Sequence, residues 1–236
     1  MVKLRLLFIL SVITCFSFLH NELYAQEDDY MYEVGGMVGT SFYMGDANKT
    51  KLYKDPGLSI GAVFRYNIDL RWSVKSNFVL GKVSGDTRYS GNNFPFGENT
   101  SFSRMFYELG SQIEFNFFNY SDKFAYLDTK RISPYVFTGI GLTLGSGKKT
   151  FLDANIPLGI GVKYKVKERL NLGFEFSFRK LFSDSFDVTR KGNEFNLDEP
   201  YKIKGSTFKN NDWCSLTMIT LTWDFGARVC PCLNTD

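Results

Sequence analysis

Histidine is nearly absent from this 236-residue chain: the one copy, His20, stands among the first two dozen residues. A chain without it further on cannot run the common Ser-His or His-Asp hydrolytic chemistry, in which an imidazole carries the proton. Long apolar runs are missing as well. Past residue 25 no stretch of about eighteen apolar residues occurs, so a membrane-spanning helix is excluded on length and any span must be made of strands. Cysteine is scarce, at four copies. Cys15 lies in the leading apolar stretch, Cys214 in the last expected strand, and Cys230 and Cys232 form a Cys-Pro-Cys near the end. The odd number left after Cys15 defines no disulfide framework, and two thiols without histidine make no four-ligand metal site. Charge of one sign is lacking too. Setting aside Lys3, Arg5 and Glu22 from the 28 basic and 25 acidic residues leaves a net +2, which gives no reason to expect nucleic acid as a partner.

What is present begins with a targeting layout. Lys3 and Arg5 precede an apolar stretch over 6–19, which gives way to Asn21-Glu22-Leu23-Tyr24-Ala25-Gln26. That order is expected of a secretory signal peptide over 1–25, cleaved after Ala25. Processing at Cys15 as a lipoprotein is the alternative. Thr14 in place of a smaller residue, and apolar sequence running past Cys15, speak against it. The remainder, 26–236, is rich in Phe, Tyr and Gly, and its last part, 226–236, is expected to be a short periplasmic tail.

Eight segments then show two-residue alternation: 31–43, 58–68, 72–83, 105–117, 134–144, 156–166, 170–182 and 213–225. One parity is apolar in each, as with Ile60, Phe64 and Tyr66, or Leu172, Phe174 and Phe176. The opposite parity holds Glu33, Arg65, Lys75, Glu108, Glu114, Lys163, Lys165, Glu175, Arg179 and Asp224, which is ten of the twelve charges within the segments. Only Lys82 and Lys180 fall on the apolar parity, near segment ends where a long side chain can snorkel. A Lys or Arg facing lipid at mid-bilayer costs about 2–4 kcal/mol, so hydrocarbon on one side of every strand selects this segregation. The expectation is an all-β fold, an eight-stranded antiparallel transmembrane up-and-down β-barrel in the outer membrane, with lipid as its first partner.

Ten glycines share the charged parity and leave room for long side chains in a narrow lumen. Five acids and five bases there can neutralise one another, so a salt-bridged plug is expected, with an ion or proton path as the competing reading. With the N-terminus on the periplasmic side, the inner connections are 69–71, 118–133 and 167–169, and the outer ones 44–57, 84–104, 145–155 and 183–212. Segment 118–133 is the long inner exception, either a solvated loop or a docking segment. A soluble lipocalin-like barrel is the rival fold; it would turn the apolar parity inward.

No cofactor or metal site is indicated. Gly141-Leu-Thr-Leu-Gly145-Ser-Gly147-Lys148-Lys149 has the wrong glycine spacing for a phosphate loop, and Lys149 stands where Ser or Thr is needed. Asp153, Asp184, Asp187 and Glu194 could place carboxylates at the outer rim, but without a histidine base the chain is expected not to be an enzyme.

Three stretches carry a family resemblance: Gly35-Gly-Met-Val-Gly-Thr-Ser-Phe-Tyr-Met-Gly-Asp46, Pro134-Tyr-Val-Phe-Thr-Gly-Ile-Gly141, and Pro157-Leu-Gly-Ile-Gly-Val-Lys-Tyr164 followed by Arg169-Leu-Asn-Leu-Gly-Phe-Glu175. Together they resemble the PorG-like outer-membrane barrels associated with type IX secretion in Bacteroidota. The resemblance implies an accessory or anchoring role, with periplasmic ring proteins of the PorK and PorN type as partners. The alternative is a surface-binding or adhesion barrel acting through its outer loops, where Tyr89, Phe94, Phe96 and Phe102 sit among Gly and Asn.

Overall fold

The computed structural model describes residues 30–44, 56–86, 101–123, 128–146, 150–182 and 213–227. The expected signal, most of the long connections and the tail from 228 lie outside the described residues. Gly226 and Ala227, expected in the tail, still belong to the last strand.

Eight strands follow one another: β1 (Tyr30–Met44), β2 (Gly57–Asn67), β3 (Trp72–Asp86), β4 (Ser101–Asn116), β5 (Ile132–Ser146), β6 (Phe151–Lys167), β7 (Leu170–Leu181) and β8 (Trp213–Ala227). Each pairs antiparallel with its neighbours in sequence, and β8 returns to β1, so the sheet closes into a barrel with no free edge. No helix among the described residues is long and apolar enough to cross a membrane. The eight expected segments are the eight strands, but several strands run further. The β3–β4 ladder continues to Asp86–Ser101 and the β5–β6 ladder to Gly145–Phe151, which shortens two of the expected outer loops.

Local chemistry fixes the short turns. Between β2 and β3, Asp69 Oδ1 accepts the backbone N–H groups of Arg71 and Trp72, each at 2.7 Å, an Asx turn that reverses the chain at once. Between β6 and β7 the ladder shifts register at Lys165 and Lys167 before the chain turns back at 168–169. Glycines allow strands to lie close: a Cβ on Gly39 would stand 1.9 Å from the carbonyl oxygen of Thr217 on β8. The β5–β6 ladder is interrupted. Between the pairs Thr138–Leu158 and Gly141–Asn155 no partners are matched, and Pro157, which has no N–H to donate, lies in that gap.

The side chains divide as alternation requires. Ile140 is 72% exposed, Leu58 68% and Leu109 61%, and the apolar parity is otherwise exposed or half-buried on the outer wall, except near the long-connection end, where Phe42 and its β8 partner Ser215 are buried. All ten charges of the opposite parity are buried inside. The lipocalin-like rival, which needs the apolar parity inside, is thereby excluded.

Candidate functional site

The interior has two storeys. At the long-connection end, inward apolar side chains including Tyr43, Val83, Phe106, Leu181, Cys214 and Leu216 pack into a hydrophobic cluster that reaches Met37 and Val63 near mid-height. These residues occupy the parity identified by its charges, so a reading based on charge alone passes over them. Cys214 is buried in this cluster.

Towards the short turns the lumen is ionic. Arg65 on β2 points its Nη1 at Glu33 on β1 and donates from Nε to Glu114 Oε2 on β4 at 2.8 Å. Lys163 on β6 reaches the same Glu114 oxygen at 2.6 Å, and Ser73 Oγ donates to it at 3.1 Å. Lys75 on β3 bonds both oxygens of Glu175 on β7 at 2.7 Å and approaches Glu114 Oε1 at 3.4 Å. Tyr135 donates its hydroxyl to Glu175 Oε1 at 2.6 Å, and Glu33 also accepts from Asn67 and Thr222. Three carboxylates and three cations thus share one connected cluster. Burial of this many charges is tolerable only with such complete pairing, since an isolated buried ion costs several kcal/mol.

Two further pairs flank the cluster. Arg179 on β7 bonds Glu108 on β4 at 2.7 Å, and Lys165 on β6 bonds Asp224 on β8 at 2.7 Å. The structure therefore brings Glu33, Arg65, Lys75, Glu114, Lys163 and Glu175 into one group and leaves Glu108 with Arg179 as a separate pair. Two more interior charges lie beyond the expected segments. Arg104 is on β4 and buried, its guanidinium 5.2 Å from the Phe151 ring centroid. Asp153, expected in an outer loop as a rim carboxylate, belongs to β6 and faces inward; the hairpin continues its hydrogen bonds past the apolar segment, so the loop ends earlier. Asp184, Asp187 and Glu194 lie outside the described residues, as do Tyr89, Phe94 and Phe96, Cys230 and Cys232. Phe102 is on β4.

The short-turn mouth is capped by the connection expected at 118–133, which is neither a plain solvated loop nor free to dock along its whole length. Tyr120 folds into the barrel end: its N–H donates to the Leu70 carbonyl at 3.0 Å and its hydroxyl to Asn171 Oδ1 at 2.9 Å. The Lys165 ammonium stands 5.5 Å from its ring centroid. Burial, chiefly, and the neighbouring Glu33 carboxylate push the Tyr120 phenol well above its ordinary range. What remains at this mouth is a gap of about 10 Å³ between Glu33, Asn67, Tyr120 and Asp224, room for about one water. No group of three metal-ligating side chains occurs among the described residues.

The chain matches, over residues 8–234, the family model described as "Domain of unknown function (DUF6089)". No functionally curated protein matches it. Among solved structures it is similar to Neisserial surface protein A, NspA, at 12% identity and TM-score 0.49, over 82% of this chain and 97% of that one. It is also similar to Ail, the attachment invasion locus protein of Yersinia pestis, at 11% identity and TM-score 0.44, over 85% and 100% of the two chains. The outer membrane protein OprG from Pseudomonas aeruginosa gives 11% identity and TM-score 0.45, over 85% and 98%. The closure and order of the strands stand on the pairing within this chain.

Proposed function

This chain belongs to the DUF6089 family, and on that premise we propose that it is a non-enzymatic β-barrel of the outer membrane that anchors a type IX secretion assembly through its periplasmic rim. The membrane location is carried by one observation: every strand turns apolar side chains outward, while the ten charges of the opposite parity are buried within. In water such a surface would be an extended apolar belt, far larger than a soluble monomer keeps exposed. Aromatics gather at the short-turn end of the belt, where Tyr32 contacts Phe64, Tyr66 and Phe225, and Trp72 lies 4.8 Å from Phe115, in the manner of an interfacial girdle. At the other end Lys180 reaches over the Trp213 ring at 5.6 Å, as a snorkelling cation does.

Short turns mark the periplasmic end. Among the described residues the lumen is filled by paired charges and an apolar storey, which favours work done at the rims. The periplasmic rim is built: Tyr120 pins the β4–β5 connection into the mouth and leaves Lys130 and Arg131 exposed. The assignment to type IX secretion, with PorK- and PorN-type ring proteins as partners, draws its support from the resemblance of the Gly35, Pro134 and Pro157 stretches to the PorG-like barrels. Deleting the gene and following cargo in the medium tests it. Loss of export, restored by the wild-type chain and reduced when the 118–133 connection is replaced by a short turn, is the expected result; unchanged export removes the secretion role and leaves the barrel assignment standing.

A further inference from the structure

The outer wall is unevenly covered. Strand register carries one row of outward side chains through Trp72, Phe115, Val136 and Ile160, and the next through Ile113, Thr138 and Leu158. In both rows the β5 member is the smallest. Tall side chains on β3–β4 and β6–β7 therefore stand either side of a low strip along β5, and the strip is a groove of about 640 Å³. Its floor reaches Gly159 and the buried ring of Phe137, beside the stretch where Pro157 leaves the β5–β6 ladder unpaired.

Basic residues stand at the short-turn starts of two strands that line the groove. Arg71 immediately precedes Trp72, and Lys130 and Arg131 immediately precede β5. Arg71 is steadied by Asn119, its Nε donating to Oδ1 at 2.9 Å, and the Lys130 ammonium lies 4.6 Å from the Phe118 ring centroid. The Arg131 guanidinium is exposed and has no hydrogen-bond or ion-pair partner among the described residues. Of the nearby carboxylates, Asp69 is engaged by two backbone N–H groups; Asp122 and Asp128 lie in the connection itself.

An apolar slot on strands whose short-turn ends carry basic groups matches an amphiphile with an anionic head. It does not match a second copy of this chain: two barrels of the same orientation related by a twofold axis would bring like cations to the same level at the contact. We propose that the groove holds one acyl chain of an anionic glycerophospholipid of the periplasmic leaflet, with Arg131, Lys130 and Arg71 receiving its phosphodiester. This site rests on the membrane reading of the outer wall.

The test uses the full chain in phosphatidylcholine bilayer discs carrying a small fraction of photoactivatable phosphatidylglycerol, with photoactivatable phosphatidylcholine as the comparison. Entry of the barrel into discs is scored first, by circular dichroism and co-purification. Failure to enter overturns the membrane reading and this site with it. Once the barrel is in place, label from phosphatidylglycerol is expected to concentrate on the peptide containing Val136 and Thr138, and to exceed label from phosphatidylcholine. Arg131→Gln and Lys130→Gln should each weaken that preference about fivefold, the effect of one basic side chain at an anionic lipid surface. Thr138→Trp fills the groove and should move the label off β5, whereas Ile219→Trp on β8 should not. Even labelling around the barrel, equal labelling by both lipids, or a label on β5 that survives Thr138→Trp overturns the proposal. So does a cross-linked dimer that disappears with Thr138→Trp, which would give the groove to a second copy.

Discussion

Lys75 and Glu175 meet across the full width of the barrel: β3 and β7 are four strands apart around the ring, yet the Lys75 ammonium lies 2.7 Å from both carboxylate oxygens. The ladder holds neighbouring strands, whereas this pair ties opposite walls. With Arg65 and Glu114 beside it, the lumen becomes a braced interior instead of a hollow one.

Removing one end of the brace leaves a buried carboxylate without its nearest cation. Lys75→Met is expected to cost about 3–5 kcal/mol of folding stability, read from denaturant unfolding of the chain in detergent or lipid. Lys75→Met with Glu175→Leu should lose less than the sum of the two single changes. Strict additivity would show that the pair does not act as a unit.

The outer wall makes a separate prediction. Ile140 is the most exposed of the large apolar side chains among the described residues and lies in the middle of β5. Ile140→Arg should destabilise the barrel in phospholipid vesicles by about 2–4 kcal/mol. A cost near zero would mean that this wall meets water.

Closure of the ring can be tested at Gly39. A methyl group there would overlap the Thr217 carbonyl oxygen on β8, a backbone atom that cannot swing aside. Gly39→Ala is expected to cost about 1–3 kcal/mol, the usual range for overpacking, and to raise hydrogen exchange along β1 and β8 more than along β4 and β5. Uniform exchange would contradict a local effect at that seam.

Alkaline pH should act at the short-turn mouth. Because the folded state raises the Tyr120 phenol above its unfolded value, the associated stability is fully present below about pH 10, the ordinary tyrosine value, and falls as pH rises past it. Hydrogen exchange of the Tyr120 N–H, bonded to Leu70, reports the change. Tyr120→Phe loses the Asn171 bond but should be indifferent to alkali in this range; identical alkaline profiles for the two chains would place the sensitivity elsewhere.

Strand number, strand order and the facing of each strand were legible because alternation is a local property and ten charges fell on one parity. Arg104 and Asp153 were not, because the apolar pattern stops near Met105 and Ile156 while the hairpin ladders continue beyond it. The apolar upper storey was hidden for a related reason: Met37, Phe106 and Leu216 share a parity with the charges, and only closure of the ring reveals which height each occupies. Tyr120 depends on Leu70 and Asn171, partners 50 and 51 residues away, so nothing in its own neighbourhood announces the cap. The groove was equally invisible, being a difference in side-chain height among five strands.

The seam that completes the ring joins the first described strand to the last, from Tyr30 with Ala227 to Met44 with Trp213. A chain not yet complete lacks one lip of that seam, and until residue 227 is in place β1 offers unpaired backbone donors and acceptors to whatever lies near. Closure must therefore wait for β8, and until then the β8-facing edge of β1 is the one most exposed to mispairing.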